Sequence, residues 1–107
     1  MLQIAILGLG SFGIRMLEEL SAVGCEIIVV DRDAEKIDKY KTHARAVYIT
    51  DVINKDSFMK IIPSNIDAAI VDFDDLLEPA ILTTHYLHQM GIKTLLCNAK
   101  MILMGNY

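Results

Sequence analysis

The chain has 107 residues, of which 53% are hydrophobic and 22% charged, and its formal net charge is −4. That apolar share excludes a disordered chain, and an acidic balance with no basic run argues against nucleic acid as a partner. A chain of this length supports one modest core, so residues 1–107 are expected to form a single domain, without linker, repeat or low-complexity segment. No apolar run approaches the ~18 residues of a membrane span, and the first residues lack the basic region and cleavage site of a secretory leader. A soluble, cytoplasmic chain without membrane insertion is expected.

Residues 2–7 are a short apolar run of strand length, and Gly8-Leu9-Gly10-Ser11-Phe12-Gly13 follows directly. Residues 14–20 then place Ile14, Leu17 and Leu20 at helical spacing, with charges at Arg15, Glu18 and Glu19. Gly24 stops that helix, and Glu26-Ile27-Ile28-Val29-Val30 is a second, β-branched strand ending at Asp31. Strand, three-glycine turn, helix and acid-tipped strand together form a dinucleotide-binding fingerprint. In it Gly8 allows the tight turn, Gly10 lets the backbone approach a pyrophosphate, and Gly13 lets the helix pack against its strand. The helix N-terminus offers unpaired N–H groups to the phosphate. Asp31, 18 residues beyond Gly13, is spaced to accept hydrogen bonds from ribose hydroxyls.

Asp33 opens a short helix over residues 33–40 with a capping turn to Lys36, and residues 44–49 read as the third strand, ending at Thr50-Asp51. A helix over 54–62 closes at Pro63, and residues 66–71 form the fourth strand. Residues 77–90 form a helix with Pro79 in its first turn, where proline is tolerated, and Gly91 ends it before a fifth strand at 93–97. Strands alternating with helices at this spacing predict a doubly wound parallel α/β sheet of order 3-2-1-4-5, with helices on both faces and a ligand crevice at the strand C-termini. In that order Cys25 and Cys97 lie three strands apart, roughly 14 Å. A disulfide spans only about 4.4–6.8 Å between Cα atoms, so both are expected as free thiols in a reducing compartment.

Asp72, Asp74 and Asp75 cluster at the mouth of the crevice, where they read either as oxygen ligands for a hard cation or, the plainer case, as a solvated loop before a helix. His85 and His88 are three apart on one helix, with no third ligand in an obvious place, and read as surface histidines. Tyr86 is followed four residues on by Met90 rather than Lys, so the proton-relay pair of a short-chain dehydrogenase is missing. Neither a Ser/His/Asp nor a Cys/His arrangement is evident, and no mass remains for a substrate domain. Catalysis within this chain is not expected.

From residue 2 to about residue 100 the chain resembles the TrkA-N, RCK or KTN family, the nucleotide-sensing subunits and tails of bacterial potassium uptake systems, potassium channels and efflux antiporters. The residues that carry the likeness are Gly8-Leu9-Gly10-Ser11-Phe12-Gly13, Val29-Val30-Asp31-Arg32-Asp33 with Glu35-Lys36, Thr50-Asp51, and Ile81-Leu82-Thr83-Thr84. The resemblance implies an adenine nucleotide held by the backbone from Gly8 to Gly13, ribose contact from Asp31, and Arg32 flanking the adenosine. It also implies Thr50 and Asp51 near the adenine edge, and Asp72 to Asp75 bordering the phosphates or the nicotinamide side. Two positions depart from the family pattern: Ser11 stands where members often carry Arg, and Asn98 where many carry Lys or Arg. Losing both cations favours NAD(H), or AMP/ADP, over ATP. Asp31 disfavours the 2′-phosphate of NADP, with Arg32 as the counterweight.

The expected function is that of an NAD(H)- or adenine-nucleotide-binding regulatory module controlling a potassium channel or transporter, peripheral to the inner membrane through that membrane partner. The rival is the cofactor-binding fragment of an NAD-dependent oxidoreductase, and a blander option is a stand-alone nucleotide binder. Met101-Ile102-Leu103-Met104 is a strongly apolar tail, and Leu77, Ala80, Ile81, Leu82, Leu87 and Met90 exceed one core-facing stripe. Both features predict a homodimer or a higher assembly, whether the chain is a truncated or a minimal form of the family.

Overall fold

A computed structural model of the protein describes residues 1–51 and 54–97. Five parallel strands form one sheet in the order β3-β2-β1-β4-β5, as the alternation of strands and helices predicts. These are β1 (Gln3–Leu7), β2 (Glu26–Asp31), β3 (Ala46–Ile49), β4 (Ala68–Val71) and β5 (Leu95–Cys97). The helices are α1 (Ser11–Ala22), α2 (Ala34–Tyr40), α3 (Lys55–Ile61) and α4 (Leu77–Gln89), and a 3-10 turn over Lys41–His43 follows α2. That turn is the main local departure from the expected pattern. The Ala44 N–H closes on the Lys41 carbonyl at 3.0 Å, so the third strand begins at Ala46 rather than at 44.

β1 is the central strand, and both its faces are covered. Side chains alternate across a strand, so Ile4 and Ile6 join Leu9, Leu17, Ile27, Val29, Ile37 and Ile70 under α1 and α2. Ala5 and Leu7 point the other way, to Phe58, Ile62, Val71, Ala80 and Leu87 under α3 and α4. Such two-sided burial explains why these strands read as near-continuous apolar runs rather than as alternating ones. The result is a three-layer sandwich with a core on each face of the sheet.

Two helices carry their own caps. Asp33 Oδ1 accepts from the Glu35 and Lys36 N–H groups at 3.0 and 3.3 Å, and Asn54 Oδ1 accepts from Ser57 N–H at 3.1 Å. α1 starts at Ser11, inside the glycine motif, with Gly10 as its cap residue and no side chain of its own to receive the first N–H groups. Gly13 therefore lies within the helix, where a Cβ would run into the Gly8 carbonyl. Gly13→Ala is expected to cost about 1–3 kcal/mol, since backbone rather than a flexible side chain would have to give way. Urea denaturation followed by circular dichroism should show the midpoint fall.

Candidate functional site

The C-terminal ends of β2, β3 and β4 surround a cavity of about 480 Å³, within the range of small-molecule sites. Asp31, Arg32, Thr50, Asp51 and Asp72 all line it, so five of the residues singled out from the sequence come together. Gly8, Gly10, Ser11, Phe12 and Gly13 do not line it. Ser11 is exposed at the start of α1, and Phe12 packs against the core under that helix.

Asp31 ends β2 and is only 7% exposed. Its Oδ2 accepts from the Leu9 N–H at 2.6 Å and its Oδ1 from the Asp33 N–H at 2.7 Å. One carboxylate thus fixes the glycine turn against β2 and also starts the approach to α2. The Asp31 carbonyl accepts from the Thr50 N–H at 3.1 Å, which brings Thr50 to the same rim. Arg32 is exposed beside it, and Lys36 pairs with Asp74 at 3.6 Å.

Asp72 lines the cavity but departs from the expectation of a solvated loop. It is fully buried, and the chain wraps it around the glycine turn. Its N–H donates to the Leu7 carbonyl at 2.8 Å, and its own carbonyl accepts from Gly10 N–H at 3.1 Å. Its Oδ2 accepts from Gly13 N–H at 2.9 Å and its Oδ1 from Asp74 N–H at 3.3 Å. Gly8 holds φ +96°, and a side chain there would strike the Asp72 carbonyl and the Phe73 ring. The acids at 72 and 74 diverge: Asp72 turns in to α1, and Asp74, with φ 55°, turns out to Lys36. Among the described residues no group of three His, Cys, Asp or Glu side chains is arranged to hold a metal ion.

This geometry corrects the part expected of Gly10. Gly10 is expected to leave room for a pyrophosphate, but a Cβ there overlaps the chain's own Asp72 carboxylate. Around the cavity stand seven carboxylates (Asp31, Asp33, Asp51, Asp72, Asp74, Asp75, Glu78) and two cations, Arg32 and Lys36. A field of that sign opposes a triphosphate and suits a ligand that presents hydroxyl or amino donors. The bond between Asp72 and Gly13 was not foreseen in the sequence, where Asp72 stands with Asp74 and Asp75 just after the apolar run Ile70-Val71.

The expected interface on α4 is also reduced. Ala80 and Leu87 are fully buried, and Leu82 and Met90 pack against the same core, leaving Leu77 and Ile81 exposed at 57% and 40%. Four of the six apolar residues thus serve the domain itself. Asn98 and Met101 to Met104 lie outside the described residues. Cys25 and Cys97 are free thiols.

A parallel five-stranded sheet of order 3-2-1-4-5, a glycine turn opening α1 and an acid at the tip of β2 define a Rossmann-like nucleotide-binding domain. Solved structures with this fold include a putative NAD-dependent epimerase/dehydratase from Bacillus halodurans, with a TM-score of 0.69 and 18% identity over 91% of this chain and 50% of the other. N5-carboxyaminoimidazole ribonucleotide synthetase from Thermotoga maritima gives a TM-score of 0.68 and 18% identity over 97% of this chain and 26% of that one. The TrkA-N domain model matches residues 4–101, and the chain belongs to that family. Among curated relatives, the Ktr system potassium uptake proteins C and A of Bacillus subtilis (strain 168) are 30% and 28% identical over 98 residues, 92% of this chain and 44% of each relative. The chain therefore spans less than half the length of these relatives. Among the described residues no helix is long and apolar enough to cross a membrane.

Two measurements follow from the site. Gly10→Ala is expected to cost about 1–3 kcal/mol alone and less in an Asp72→Ala background, because the overlapping carboxylate is then gone. Denaturation of the two single variants, the double variant and the parent gives that coupling directly. Burial pushes the Cys97 thiol up, against a smaller opposing pull from the Thr84 hydroxyl. A raised thiol pKa keeps Cys97 neutral to higher pH, so iodoacetamide should alkylate it more slowly at pH 8 than a cysteine in an unstructured peptide.

Proposed function

We propose that this domain is a regulatory module of a potassium transport system, and that it binds an adenine nucleotide, NAD(H) or AMP/ADP ahead of ATP. The observation that carries this reading is Asp31, buried at the tip of β2 and lining the cavity in a chain of the TrkA-N family. In a dinucleotide site an acid at that position accepts from the ribose hydroxyls. Thr50 and Asp51 form the rim for the adenine edge, Arg32 flanks the adenosine, and the turn from Gly8 through Ser11 and Phe12 to Gly13 approaches the phosphates. The names of the Ktr relatives support the potassium assignment.

The module acts without catalysis of its own. Nucleotide occupancy shifts the arrangement of paired domains, and a membrane channel or transporter subunit responds, which places the chain on the cytoplasmic side of that partner. Such a switch needs a ligand with different affinity for the two arrangements. Of the apolar residues expected to pair on α4, Leu77 and Ile81 are exposed and available to a second copy.

Asp31→Ala should weaken NADH by about tenfold to a hundredfold and narrow the gap to NADPH, since charge-assisted hydrogen bonds of this kind contribute about 1.5–3 kcal/mol. The same change strands the Leu9 N–H, so the variant's melting temperature should fall as well. Calorimetric titration with both nucleotides checks the first effect; a parent protein that prefers NADPH would overturn the assignment. Light scattering after size exclusion should report at least twice the 12.0 kDa monomer mass at micromolar concentration. A monomer unchanged by nucleotide would remove the paired-domain mechanism.

A further inference from the structure

The N-terminus of α1, the place where a Rossmann-like domain receives a phosphate, is already bonded to an anion of the chain's own. The Asp72 carboxylate sits 2.9 Å from Gly13 N and fills the space over Gly10 that the absence of a Cβ leaves open. It has no exposure to solvent, and it stands between the glycine turn and the cavity, whose lining includes Asp72 but none of the three glycines of the turn. A phosphate brought to that turn meets a fixed negative charge and finds the Gly13 N–H taken.

We propose that Asp72 is the ligand-discriminating residue of this site: its carboxylate holds the phosphate position on α1, and a phosphorylated ligand binds only by displacing it. The proposal rests on the nucleotide reading above and sharpens it. A ligand's nucleoside portion can enter the cavity at Asp31 with Asp72 in place, whereas its diphosphate cannot reach the turn until Asp72 leaves. Displacement is not local. Asp74 donates its N–H to the Asp72 carboxylate, and Asp74 in turn pairs with Lys36 of α2. The segment that would move runs directly into Leu76 and the first turn of α4, where Leu76 and Leu77 are exposed. Exchange of one anion for another at α1 therefore has a mechanical output at α4, a two-state element of the kind a ligand can bias.

The test is calorimetric titration of adenosine, ADP and NADH into the parent protein, Asp72→Ala and Asp72→Asn. Removing the resident charge should raise the ratio of ADP to adenosine affinity by about tenfold to a hundredfold in Asp72→Ala, the range a charge-assisted hydrogen bond commands. NADH should follow ADP. Asp72→Asn keeps an oxygen for the Gly13 N–H, loses the charge and sets its amide NH2 against the Asp74 N–H, so it disturbs the turn less than alanine does and should raise the ratio by a smaller factor. A ratio that stays within threefold of the parent's in a folded variant overturns the proposal while leaving the nucleotide reading standing. Failure of adenosine, ADP and NADH alike to bind the parent and both variants overturns the nucleotide reading, and this proposal with it.

Discussion

A helix that begins inside a protein must find acceptors for its first N–H groups, and everything around the site of this domain depends on how α1 finds them. No side chain at its own start does so. The acceptor comes from the neighbouring strand, where Asp72 follows the last residue of β4 and returns its carboxylate to Gly13. That single bond ties β4 to α1 across the end of β1. It goes with glycine at 8 and 10, because a Cβ at 8 would meet the Asp72 backbone carbonyl and one at 10 the Asp72 carboxylate itself. The glycines at 8 and 13 are thus demanded by the backbone as it stands, before any ligand is considered.

Most of the architecture was legible in the sequence because its signals are local. Five apolar runs, the glycines and proline that end the helices, and the Asp33 capping turn each act within a few residues, and strand order follows from connection rules once the elements are known. The 3-10 turn at Lys41–His43 was not legible, since its closing bond to Ala44 depends on where β3 pairs with β2. The apolar excess on α4 misled for a related reason. Counting apolar residues on a helix takes no account of how much core the sheet offers, and here the sheet and α3 absorb Ala80, Leu82, Leu87 and Met90.

At the candidate site five of the ten residues named from the sequence line one cavity, and their present partners were not foreseen. Asp31, Arg32, Thr50 and Asp51 arrive at one cavity because β2 and β3 end side by side, and strand periodicity suffices to foresee that. Asp72 was expected either within an acidic cluster at the crevice mouth or bordering the phosphates, and neither expectation pairs it with Gly13. Its burial depends on β4 lying next to β1, so that a residue 59 positions from Gly13 in the chain becomes its nearest anion. Long-range pairing of this sort leaves no mark in composition or spacing.

The Leu9–Asp31 bond restricts how this domain could change its ligand over time. Asp31 secures the glycine turn from below and closes the start of α2 from the side, each through a separate oxygen. An added methylene would displace both bonds, and an amide would meet one of the two N–H donors with a donor of its own. Position 31 is therefore fixed by folding whatever the nucleotide. Arg32, next in the chain and exposed on the same rim, carries no such duty to the turn. Drift in recognition of the ribose would enter there, leaving the acid as an ancestral fixture that the domain keeps even in descendants that no longer read a ribose.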